Sequence, residues 1–126
     1  MMSRASLAGL AMSLITTGSG FAAPSSSPPD SPPIPTTSHA VIGKDYPQVA
    51  RQLREEGEVT IRYRVEPDGT VSECQIVISS NEPRLDITAC LLARRNWKFI
   101  PATRDGMPVA EYMESNVSFR LDDTNL

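Results

Sequence analysis

Gly57-Glu58-Val59-Thr60-Ile61-Arg62-Tyr63-Arg64-Val65, followed at once by Glu66-Pro67-Asp68-Gly69, decides the fold class. Val59, Ile61, Tyr63 and Val65 share one face of an extended chain, and Thr60, Arg62 and Arg64 share the other. Strict alternation describes a strand with one buried and one wet face, the habit of an antiparallel sheet. The tetrapeptide after it is a turn, since proline fixes φ at its second position and glycine accepts the positive φ near its end. A hairpin follows, with a second strand from Thr70 to Ile78. There Val71 and Val77 fall on the opposite parity from Cys74, Ile76 and Ile78, so a bulge or bend near Ser72-Glu73 is expected.

Upstream, Tyr46-Pro47 starts a short helix, because proline is comfortable in a first helical turn. Val49, Ala50 and Leu53 make its apolar face, Arg51, Arg54, Glu55 and Glu56 face water, and Gly57 is placed to end it with a positive φ. Downstream, Asn81-Glu82-Pro83 breaks the second strand and primes another helix. Ser80 or Asn81 would cap it, and Glu82 and Asp86 suit its positive end. Leu85, Ala89 and Leu92 form a stripe that Cys90, Ala93 and Trp97 widen. A looped segment then runs past Pro101 through Gly106 and Pro108. The last strand spans Ala110 to Leu121, with Met113, Ser115, Val117, Phe119 and Leu121 on one side. The order αββαβ specifies an α+β fold: a small three-stranded antiparallel sheet with two helices covering one face.

Met1 to Ala22 has the layout of an export signal: Arg4 at the front, an apolar Leu7 to Ile15, and Gly20-Phe21-Ala22 before the cut. As an anchor it would be short of the roughly 20 apolar residues a spanning helix needs. Residues 23–42 are a Pro/Ser-rich linker that cannot bury a core and should be extended or disordered, reaching roughly 60 Å in polyproline geometry. His39, the only histidine, is expected to be solvated there. The domain occupies 43–122 and a tail 123–126. A domain of roughly 80 residues is marginal by burial alone. Two cysteines in an exported chain suit one bridge, Cys74 to Cys90, worth about 3 kcal/mol by loop entropy; the alternative is two unpaired buried thiols.

Charge and motif content exclude several functions. The chain carries 12 Lys and Arg against 15 Asp and Glu; without a leader holding only Arg4 the balance is 11 against 15, or −4. That argues against nucleic acid, which calls for a basic face. Arg94, Arg95 and Lys98 instead complement the end of a helix dipole. No histidine-based triad, paired carboxylates or phosphate loop is present, so the chain is not read as an enzyme, and no cofactor is implied. Two cysteines and one distant histidine fall short of a metal site.

The succession Tyr46-Pro47, Ala50-Arg51, Gly57-Glu58-Val59, Pro67-Asp68-Gly69, Ser79-Ser80, Leu85-Asp86 and Trp97-Lys98-Phe99-Ile100-Pro101-Ala102 resembles the C-terminal domain of the TonB family in order and spacing. That family couples inner-membrane energy to outer-membrane receptors. The resemblance implies a periplasmic domain that captures the TonB-box segment of outer-membrane transporters as an added strand. It places the accepting edge on the last strand, at Glu114, Ser115, Asn116, Val117, Ser118, Phe119, Arg120 and Leu121, with a second approach at Tyr46 and Pro47. An uncleaved front segment would bring inner-membrane motor proteins in as partners. The alternative is a soluble periplasmic structural or adaptor module with no transduction role. An open edge also allows a homodimer.

Overall fold

The computed structural model describes residues 28–121, so the expected export signal, the start of the linker and the tail lie outside it. In chain order it contains β1 (Ile34–Pro35), a 3-10 turn at Gly43–Asp45, α1 (Gln48–Gln52), β2 (Gly57–Val65), β3 (Val71–Ile78) and α2 (Pro83–Asn96). β4 (Phe99–Ile100), β5 (Ala102–Arg104), β6 (Met107–Val109) and β7 (Glu111–Phe119) follow. The architecture is the expected α+β one, with β2 at the centre of an antiparallel sheet ordered β3-β2-β7.

The alternation in β2 sets the core. Val59, Ile61, Tyr63 and Val65 are fully buried, and Leu85, Ala89, Cys90 and Ala93 of α2 join the same cluster. Val117 and Phe119 extend it from β7. Tyr63 meets Trp97 edge to face, with ring centroids 5.3 Å apart. Its hydroxyl pairs with that of Ser115 at 2.8 Å, which satisfies the polar end of a buried ring. Burial pushes the Tyr63 pKa up.

The β2–β3 ladder slips twice. Arg64 faces Ser72 and Arg62 faces Gln75, so Glu73 and Cys74 together oppose one residue, and Glu73 takes a φ of 47°. That is the bulge expected at Ser72-Glu73. A second slip leaves Val77 unpaired between Ile76 and Ile78. Cys74 is joined to Cys90 of α2, with Cα atoms 5.6 Å apart, so the alternative of two unpaired thiols falls.

Several local expectations need correction. α1 is a five-residue helix that buries only Ala50; Val49 and Leu53 are 47% and 58% exposed. A helix that short offers the core a single position. Arg54, with φ 56°, ends it, and Gly57 instead opens β2. A Cβ at Gly57 would lie 3.0 Å from that of Ser80. The N-cap of α2 is Glu82, whose N–H donates to Ser80 Oγ at 3.0 Å. Asp86 then folds back to accept from the Ser80 N–H and the Ser79 and Ser80 hydroxyls. Burial pushes its pKa up, but these bonds outweigh that and hold the carboxyl below its ordinary value. The loop after Pro101 is a hairpin, β5 against β6, turning at Asp105 and Gly106 with φ of 53° and 79°. Two successive positive φ values are the tight hairpin geometry that Asp-Gly favours. The described part of the linker is extended, as expected, but not free: residues 30–37 lie along 98–105. His39 is not solvated but half-buried, stacked on Trp97 at 3.7 Å.

Candidate functional site

β7 is a lateral edge of the sheet. Its nine residues pair with β2 from Gly57 against Phe119 to Val65 against Glu111 without a slip. Among the described strands β2 is its only bonded neighbour. Two contacts reveal which backbone groups face outward. The Leu121 N–H turns to the β2 side, where Glu56 Oε1 accepts it at 2.7 Å. The Tyr112 N–H is met instead by the carboxylate of its neighbour Glu111 at 3.1 Å. In an unbroken antiparallel ladder the backbone groups alternate sides residue by residue. Residues 111, 113, 115, 117 and 119 therefore bond to β2. The N–H and C=O groups of Tyr112, Glu114, Asn116 and Ser118 turn to the open edge.

The side chains alternate across the sheet rather than along the edge. Val117 and Phe119 are core residues, and Met113 and Ser115 are half-buried beside them. On the wet face Thr60 Oγ1 donates to Asn116 Oδ1 at 2.7 Å, and Ser118 Oγ donates to Glu58 at 3.0 Å. The Tyr112 hydroxyl donates to Glu73 at 2.6 Å, which is the main reason its pKa is raised. Arg62 lies 4.6 Å over the Tyr112 ring. Glu114, exposed at mid-strand, makes no ion pair among the described residues.

The other expected site residues are placed differently. Tyr46 is only 5% exposed; its ring meets Phe119 edge to face at 5.6 Å, and its hydroxyl donates to the Glu55 carbonyl. Burial, then the charges of Glu56 and Glu55, raise its pKa. It braces the end of β7 from beneath, while Pro47 beside it is half-buried. Glu55, almost fully buried, takes the Arg84 guanidinium at 2.7 Å and so ties the end of α1 to α2. Leu121 is half-buried against the core. A concavity of about 270 Å³ opens at this end of β7 between Glu56, Gly57, Glu58, Ser118, Phe119 and Arg120. Glu56 and Glu58 were missed from the sequence, although pairing β2 with the last strand would have placed them at this rim.

Among the described residues no group of three or more His, Cys, Asp or Glu could hold a metal. No helix there is long and apolar enough to cross a membrane.

Residues 43–121 match the family model described as the Gram-negative bacterial TonB protein C-terminal. The chain belongs to the TonB C-terminal family. It is 33% identical over 88 residues to Protein TonB of Vibrio cholerae serotype O1, a match covering 70% of this chain and 36% of that protein. It is 32% identical over 78 residues to Protein tonB2 of Pseudomonas aeruginosa, covering 62% and 28% of the two chains. The matched stretch is thus about a third of each relative's own length. The solution NMR structure of the Pseudomonas aeruginosa TonB CTD has a similar fold, with a TM-score of 0.55 and 23% identity over 75% of this chain and 91% of that one. The TonB-family segment contains all of β7 and the rim at its end.

Proposed function

We propose that β7 captures an extended segment, the TonB box of an outer-membrane transporter, by strand addition, and that the chain serves energy-dependent uptake across the outer membrane. The observation that carries this reading is the contrast between the two sheet edges. β7 is nine residues long, in unbroken register, without proline, and bonded on one side. β3 slips twice and is a poorer template. An incoming strand would bond to the outward backbone groups of Glu114, Asn116 and Ser118, and a cation opposite Glu114 would be favoured.

The test is titration of the full chain with a short extended peptide from the periplasmic end of such a transporter, followed by amide shifts. Asn116→Pro removes an outward N–H and keeps the β2 ladder, a placement that edge strands tolerate. Binding by the wild type and its loss in a folded Asn116→Pro variant is the expected result. Equal binding by both would refute the reading.

The adaptor reading, in which the chain binds transporters without transducing, draws support from the bonded linker. If residues 1–22 are held at a membrane, the chain has seven residues, 23–29, before Asp30, whose N–H donates to the Thr103 carbonyl. Seven residues reach about 25 Å at full extension, far less than a spacer crossing the periplasm needs.

A further inference from the structure

We infer that Cys74 is a thiol-exchange site: it takes up a small thiol from solution as a mixed disulfide, which releases Cys90 and unlocks β3 from α2.

The Cys74–Cys90 bond has one inner and one outer end. Cys90 lies on α2 in the core, 8% exposed, with Ala89 and Ala93 fully buried beside it in sequence order. Cys74 is only partly buried, at the margin of the same cluster. With Arg62, Glu73, Gln75 and Tyr112 it lines an open concavity of about 530 Å³. The backbone there is the least paired of the sheet. β3 is an outer strand, and among the described strands β2 is its only bonded neighbour. The bulge, with Glu73 at a φ of 47°, falls between the pairs Arg64–Ser72 and Arg62–Gln75, so Glu73 and Cys74 stand outside the regular register. A bulge at a sheet edge re-aims the side chains it carries.

The chemistry of the outer end selects its reactant. A disulfide sulfur is attacked by thiolates, and which of its two sulfurs reacts depends on access as well as on the leaving group. The concavity suits a thiolate. Arg62 is its cation, while the Glu73 carboxylate is already taken up by the Tyr112 hydroxyl at 2.6 Å and by Arg64 at 3.9 Å. In the step itself the incoming sulfur bonds to Cys74 Sγ and the bond between the two cysteines breaks. The electron pair goes to Cys90 Sγ, which takes a proton from solvent. Leaving-group chemistry alone points the other way, because a buried thiol ionises less readily than an outer one and so leaves more slowly. Access decides against that route, since the core encloses Cys90. Cys90 stays beside the mixed disulfide and can expel the thiol again, so the uptake is reversible.

The effect is confined to one corner. β3 is held to α2 by the cysteine bond and by Asp86, which accepts from Ser79 and Ser80. Thiol uptake removes the first link and leaves the second. The β2–β7 ladder on the opposite edge takes no part in either, and the inference does not depend on β7 binding anything.

The probe is glutathione. The native full chain is treated with the reduced form, quenched with acid, alkylated, digested and mapped by mass. A glutathionyl group on the Cys74 peptide with an alkylated Cys90 is the expected product. A second measurement avoids the reverse reaction. Cys90→Ala and Cys74→Ala each leave one thiol, and each is treated with oxidised glutathione after circular dichroism shows it folded. Cys74 should take up the glutathionyl group in the folded chain, whereas Cys90 should react only once urea unfolds it. Adding Arg62→Gln to the first variant should slow uptake from anionic oxidised glutathione more than from cationic cystamine. An adduct chiefly on Cys90 in the native chain, or equal rates for the two thiols in the folded variants, would overturn the inference.

Discussion

The bond between Cys74 and Cys90 gives the most direct quantitative test of how this small domain holds together. Replacing both residues by alanine removes a link between positions 16 apart. Loop entropy puts its contribution at about 3 kcal/mol, acting through the unfolded chain. A domain of this size loses roughly 4–8 °C of melting temperature per kcal/mol, so the midpoint should fall by about 12–24 °C. The cysteine pair also ties β3 to α2 just beyond the Glu73 bulge, so the loss should loosen that corner first and leave the β2–β7 ladder protected at low temperature. Circular dichroism melts of the oxidised protein and the double variant give the midpoints, and amide exchange locates the change. Urea titration adds a check, because an unlinked unfolded chain exposes more surface and steepens the transition. A midpoint shift under about 3 °C, with unchanged steepness, would refute the claim that the link constrains the unfolded chain.

Phe119→Ala should cost about 3–5 kcal/mol in urea unfolding, since Phe119 is fully buried and supports the Tyr46 ring. Glu114→Lys should leave the melt unchanged and reverse the charge preference at the β7 edge. Peptides with lysine opposite that position should weaken by a few-fold and those with glutamate strengthen, as cross-strand charge pairs do. His39 carries a pH prediction. Burial lowers its pKa from the ordinary 6.5, so the folded state favours the neutral ring. Its contribution to seating residues 30–37 is then full above pH 6.5 and is lost as pH falls through the lowered value. Trp97 fluorescence should report that loss on acidification, and His39→Gln should abolish the pH dependence.

The sheet was legible where a period of two ran unbroken. Val59 to Val65 alternate without a fault, and the parity conflict in the next strand pointed to the Glu73 bulge. The last strand shows the same alternation, but which of its backbone groups face outward depends on its register with β2, and no single-strand pattern carries that. The expectation that it is the accepting edge came from family resemblance rather than from periodicity. Val49 and Leu53 misled because helical spacing says nothing about whether a helix of five residues reaches the core. The β5–β6 hairpin had its signal in Asp105-Gly106, but three-residue strands are too short to show alternation. The seating of residues 30–37 was hidden for a different reason. Proline content announces a shortage of donors, and it does not reveal that the remaining N–H groups, such as those of Asp30 and Thr36, fall opposite carbonyls of a partner strip.

The unequal edges of the sheet also limit how it can grow. If two copies met along β7, the joined sheet would run β3-β2-β7-β7-β2-β3, ending on both sides in a strand whose ladder slips twice. Such an end offers a poor template for a further copy, so the contact closes on itself with two-fold symmetry instead of propagating. A fibre needs two good edges on every unit, and among the described strands this sheet supplies one. The chain can therefore keep a long backbone edge open to solvent while remaining a poor seed for its own polymerisation.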